Sequence, residues 1–62
     1  HLGIRTETHK LIHFYEDDVW ELYDLRNDKN ELNNIYGQVG TEEITKELKK
    51  KLDKLKEQYG EN

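Results

Sequence analysis

An α+β fold is what this sequence predicts: a small antiparallel sheet of about three strands, with a C-terminal helix packed on one sheet face. Three observations lead there. Aliphatic and aromatic residues cluster in short runs within residues 3–25, the composition of strands rather than of surface loops. The connections between those runs are only a few residues long, which permits hairpins but not the crossover of a parallel pair. From Thr41 onward the apolar residues fall at helical spacing,.

The first strand is expected over residues 3–7, carrying Gly3-Ile4-Arg5-Thr6 into the polar Glu7-Thr8. A stronger one follows over 9–15, where Lys10-Leu11-Ile12-His13-Phe14-Tyr15 combines aliphatic and aromatic side chains. Glu16-Asp17-Asp18 reads as a turn, and Val19 to Leu25 as the third strand. Asp28 with Glu31 three positions later is an N-terminal capping pattern, so a short helix is expected near 28–36, with Leu32 and Ile35 inward and Gly37 ending it,. The last element, over 41–59, has the clearest pattern. Ile44, Leu48, Leu52, Leu55 and Tyr59 form one narrow stripe, Thr41 stands at the N-cap, Glu42 and Glu43 suit the positive end, and Gly60 occupies a C′ position,.

Successive strand residues alternate between sheet faces. In the second strand Ile12 and Phe14 share one face, with Leu11 and Tyr15 on the other; in the third, Trp20 and Leu22 oppose Val19, Tyr23 and Leu25. Both faces carry large apolar groups, and one helix covers one face. The other should dock on something; Leu11, Tyr15, Val19 and Tyr23 are the residues expected to form that interdomain or partner surface.

Composition bounds the function. The 62 residues make a single domain, read as a subdomain over 1–62 within a longer chain because no Met opens it; Ser, Ala, Pro and Cys are missing as well. At this size burial is modest, and no disulfide compensates. The net charge of −4 is uneven: residues 1–40 hold four Lys or Arg against eight Asp or Glu, whereas 41–62 hold six of each. Such a balance offers no basic field for nucleic acid or an anionic membrane, and no apolar stretch has spanning length.

Catalytic chemistry is hard to place here. Without Ser or Cys, the hydroxyl groups are those of Thr and Tyr, and no acyl-transfer motif or phosphate-cradling loop surrounds them,. His9 and His13 share a strand face but stand about 13 Å apart, too far for one metal. Lys49-Lys50-Lys51 spreads around the helix axis between Glu47 and Asp53, a solvated face rather than a basic patch.

In order, the chain reads Gly-Ile-Arg-Thr, Lys-Leu-Ile-His-Phe-Tyr, Glu-Leu-Tyr-Asp-Leu, Asp-x-x-Glu-Leu-x-Asn-Ile and a Lys/Glu-rich helix. This order resembles the C-terminal segment of the sulfatase family, the formylglycine-dependent sulfuric ester hydrolases of the arylsulfatase and N-sulfoglucosamine sulfohydrolase kind. The likeness covers nearly the whole chain. Two positions depart from it: Lys29 stands where the family commonly has Pro, and His9 where it commonly has Tyr.

The resemblance implies a non-catalytic subdomain supporting a separate catalytic domain of the same, periplasmic or secreted, parent chain. Calcium and formylglycine would belong to that parent and no cofactor to this segment, since the Cys/Ser-x-Pro-x-Arg motif needs residues it lacks. His1 and Arg5, near the start of the first strand, are the expected substrate contacts, an imidazole and a guanidinium suited to sugar hydroxyls, sulfate or carboxylate. Two other readings compete: a free-standing interaction module using an apolar sheet face, and a sugar-binding module stacking ligands on Trp20 and the tyrosines. Self-association through an unpaired sheet edge is a further expectation.

Overall fold

The computed structural model describes residues 1–58; Tyr59 and Gly60, expected to end the apolar stripe and the helix, lie outside them. Strands β1 (Leu2–Arg5), β2 (His9–Phe14) and β3 (Val19–Asp24) form one antiparallel sheet in the order β1-β2-β3, and helix α1 (Glu42–Gln58) packs across it.

The turns are built by side chains of the sequence itself. Between β1 and β2, Thr6 Oγ1 accepts the amides of Thr8 and His9 at 3.3 and 3.1 Å, while the Thr6 amide donates to the His9 carbonyl at 2.8 Å. Between β2 and β3 the loop runs from Tyr15 to Asp18, with the Asp17 amide on the Phe14 carbonyl and Asp18 at φ 52°.

Register then decides the faces. Leu11 pairs with Leu22, His13 with Trp20 and Ile4 with Leu11. Directly paired residues project to the same side, so Ile4, Leu11, Leu22 and Trp20 share the face under α1. Leu11, Leu22, Leu48 and Leu52 are almost completely buried, with Ile4, Trp20, Ile35, Tyr36 and Ile44 packed around the first three. Each fully buried leucine contributes about 1.5–3 kcal/mol. The helical stripe thus faces the sheet, as its spacing requires.

The helix expected near 28–36 does not form. Asp28 does bind backbone amides, but those of Leu32 and Asn33, at 3.0 and 2.9 Å, rather than the two or three residues ahead that a cap serves. Glu31 sits at φ 55°, which no α-helix accommodates, and its carboxylate crosses to Lys10 Nζ at 2.9 Å. Asp28 therefore closes a loop, and residues 28–41 run as irregular chain along β3. Turns at Gly37 and Gly40, both with positive φ, bring that chain to the start of α1, a conformation glycine adopts at little cost.

The helix starts differently from expectation as well. The Thr41 carbonyl accepts the first helical bond from the Thr45 amide, yet its hydroxyl donates to the Gln38 carbonyl at 2.8 Å. Glu42 turns back to accept the Gly40 amide, and so ties the helix start to the preceding turn.

Candidate functional site

His1 continues the β1–β2 register and lies over Phe14, with ring centroids 5.2 Å apart. Together with Tyr15, Glu16 and Asp17 they line a groove of about 300 Å³ at the β2–β3 turn. An aromatic floor with two carboxylates at its rim is able to hold a polar ring, by stacking and by accepting hydrogen bonds from hydroxyl groups. Of these residues the sequence singled out His1 as a substrate contact.

Arg5 sits at the other end of β1, about 13 Å along the strand from His1. It lines a separate groove with Gly3, Ile4, Lys51, Lys54, Leu55 and Gln58. The structure therefore does not bring the two expected substrate contacts together.

The surface expected from Leu11, Tyr15, Val19 and Tyr23 needs correction. Leu11 is wholly buried beneath α1, because its partner across the sheet is Leu22. Tyr15 lies beyond the end of β2, in the turn, and is 55% exposed. Val19 and Tyr23 do lie on the face that α1 leaves open, where their companions are Ile12 and Phe14. Phe14 pairs with Val19, Ile12 with Glu21 and Lys10 with Tyr23. The open face is thus apolar near the β2–β3 turn and charged toward the opposite end.

Its charged end is internally bonded. Tyr23 donates its phenol hydrogen to Glu21 Oε1 at 2.6 Å, and that bond, helped by burial and by the charges of Glu21, Glu31 and Asp28, pushes the phenol up to about 12. Lys10 is held by Glu31. Beyond β3, Arg26 bonds both Asp24 oxygens and holds that carboxyl well below the usual range; Asn27 and the Arg26 amide reinforce the effect.

Trp20 is not a free stacking platform. Its ring lies 3.9 Å from the His13 ring and nearly parallel to it, and Lys49 Nζ stands 4.2 Å over it while donating to the Tyr36 hydroxyl. These contacts fasten the 28–41 segment to α1. His13 in turn bonds Asp18 through Nε2 at 2.9 Å, which fixes the turn beside the His1 groove.

Among the described residues no group of three or more His, Cys, Asp or Glu could hold a metal ion, and no helix is long and apolar enough to cross a membrane.

An all-antiparallel sheet backed by one C-terminal helix, in the order of motifs given above, defines a sulfatase C-terminal region. Residues 1–58 match the family model described as N-sulphoglucosamine sulphohydrolase, C-terminal, and the chain belongs to that family. It is also similar to an N-acetylglucosamine-6-O-sulfatase of Bacteroides thetaiotaomicron, with 48% identity over 63 aligned residues that include all of this chain. The chain spans 11% of that relative's length.

Proposed function

We propose that this chain is the non-catalytic C-terminal subdomain of a sulfatase, seated on the catalytic domain through its open sheet face, with the His1 groove forming part of the substrate cleft. One observation carries the reading. The likeness to the bacterial sulfatase takes in the whole chain yet only 11% of the relative, so the family's hydrolytic apparatus is assigned to residues outside this sequence. Formylglycine requires a Cys or Ser, and these 62 residues contain neither. Calcium and formylglycine are accordingly assigned to the catalytic domain, and no step of sulfate ester hydrolysis runs through the residues described here.

What these residues contribute is support and shape. Ile12, Phe14 and Val19 give the open face an apolar patch with which to exclude water at a domain boundary. Phe14 belongs to both the patch and the groove, so docking that face would set His1, Glu16 and Asp17 at the margin of the joint. There His1 would bind and orient a sugar.

Two measurements on the full-length enzyme test this reading. His1→Ala should raise KM with a lesser effect on kcat; unchanged kinetics would remove the substrate role. Phe14→Asp with Val19→Asp should release the subdomain, seen as faster proteolysis between the domains and loss of activity. An intact, fully active double variant would show that the open face does not dock.

A further inference from the structure

On the side of the sheet away from α1, the register sets side chains in three rows. His1, Phe14 and Val19 cross nearest the β2–β3 turn, then Gly3, Ile12 and Glu21, then Arg5, Lys10 and Tyr23. The charges of these rows are matched with one exception. Lys10 is held by Glu31 at 2.9 Å, and Glu21 accepts the Tyr23 hydroxyl at 2.6 Å. Arg5 is exposed, and among the described residues the ion pairs join Lys10 to Glu31, His13 to Asp18 and Arg26 to Asp24, leaving it out.

Cations stand on both sides of Arg5. Straight across the sheet is Lys10, and like charges directly opposite each other are unfavourable. Where Arg5 borders the groove beside α1, its companions are Lys51 and Lys54, and no carboxylate lines that groove. A guanidinium so placed gains from an anion brought from outside the described residues. The face leaves room for one. Gly3 precedes Arg5 on the same face, and a β-carbon there would lie 3.7 Å from Ile12 Cγ1 and 3.3 Å from the Leu11 carbonyl oxygen. Without it, a notch floored by Ile12 opens between Arg5 and the His1–Phe14 pair.

We propose that Arg5 anchors the docked domain: an aspartate or glutamate of the catalytic domain enters the notch at Gly3 and pairs with the Arg5 guanidinium, while apolar side chains around that acid cover Ile12, Phe14 and Val19. Resting on the docking of the open face proposed above, this pairing names the chemistry of the surface that docks. A guanidinium takes a carboxylate through two parallel hydrogen bonds, which fixes orientation as well as adding attraction. The apolar surround keeps water out and strengthens the pair. A surface without the acid would bury Arg5 unpaired, which is costly, so the same residue selects the partner. The competing anion is a sulfate or carboxylate of the substrate. Arg5 stands about 13 Å along β1 from His1, and a single sugar seated in the His1 groove falls short of it.

The test uses the full-length enzyme carrying Arg5→Lys, treated with a water-soluble carbodiimide that joins an amine to a carboxylate in direct contact. Digestion and mass spectrometry should find position 5 joined to an aspartate or glutamate of the catalytic domain. Arg5→Gln should speed proteolysis between the domains about tenfold or more, and Arg5→Lys should do so less. Lys46→Glu, at an exposed position of α1, should leave the rate unchanged. No joining at position 5, or joining only to acids within these 62 residues, would overturn the proposal. So would an Arg5→Gln enzyme cleaved at the parent rate while Phe14→Asp with Val19→Asp still releases the domain. A raised KM with unchanged cleavage would do the same, by making Arg5 a contact of the substrate. If the double variant stays intact and fully active, the docking itself has failed and the Arg5 pairing with it.

Discussion

The side chain of Asn34 does for Leu22 what a neighbouring strand would do: its Oδ1 accepts the Leu22 amide at 2.9 Å, and the same oxygen accepts the Tyr36 amide at 3.0 Å. With the Ile35 amide on the Leu22 carbonyl, a stretch of irregular chain is held against β3 as a one-residue imitation of a strand. Asn34→Ala leaves the amide of the buried Leu22 without its acceptor. We expect a loss of about 1–2 kcal/mol in urea unfolding, and faster exchange of the Leu22 amide than of the Leu11 amide. Asn34→Asp, which keeps the acceptor, should lose less.

Leu48 is the residue through which the helix enters the core, completely buried against Leu11 and Leu22. Leu48→Ala should cost about 2–5 kcal/mol. A domain this small has little stability to spare, so loss of the cooperative thermal transition in circular dichroism is the expected outcome. Leu32→Ala, at an exposed position, should leave the transition within about 0.5 kcal/mol of the parent.

Tyr23 should titrate late. Its phenol is raised from 10.0 to about 12 by the bond to Glu21, so the folded chain holds that proton more tightly than the unfolded chain does. The stabilisation is fully present below pH 10 and is lost as the pH rises through about 12,. Near-ultraviolet tyrosinate absorbance should show one late-titrating tyrosine, and Glu21→Gln should bring it back toward 10.0.

Asp24 has the opposite sign. Arg26 lowers its folded value below the ordinary one of 3.8, so its contribution is present above about pH 4 and is lost as pH falls through the folded value. Asp24→Asn should flatten the acid limb of the stability curve, measured by urea unfolding at several low pH values. The Asp24 carboxylate also accepts the Arg26 amide and the Asn27 side chain, so a smaller loss near neutral pH should accompany the change.

The helix and the three strands were legible in the sequence because each carries a periodicity that the folded state uses. The faces of the sheet were not. A turn of Glu16, Asp17 and Asp18 alone would pair Tyr15 with Val19 and Leu11 with Tyr23, placing those four on one surface. The observed loop includes Tyr15, so Phe14 pairs with Val19 and Leu11 with Leu22. One residue of register reverses which side chains meet across two strands, and it rests on local chemistry: Asp18 at positive φ, bonded to His13. The lost helix near 28–36 has a similar origin. Asp28 and Glu31 are the right residues for a cap, but each found a partner outside the helix pattern, Asp28 with more distant amides and Glu31 with Lys10.

The candidate site was legible only in part. His1 was named, but Phe14, Glu16 and Asp17 were not, though continuing the β1–β2 register places His1 opposite Phe14. Arg5 lines a different groove from His1: Lys51 and Lys54, which line it too, come from the other end of the chain, and no local pattern announces such a meeting.

The core joins Leu11 and Leu22, from the second and third strands, to Leu48 from the final helix. A ribosome therefore delivers the sheet first and its cover last. During that interval the meander is out with both leucines bare, and the hydrophobic reward for its strand pairings has yet to arrive. Under the proposed docking, a domain preceding this region would wait as well, since its docking surface is not firm until Leu48 is in place. Synthesis proceeds at about 5–20 residues per second, so the delay lasts on the order of seconds, long enough for a chaperone to find the exposed leucines.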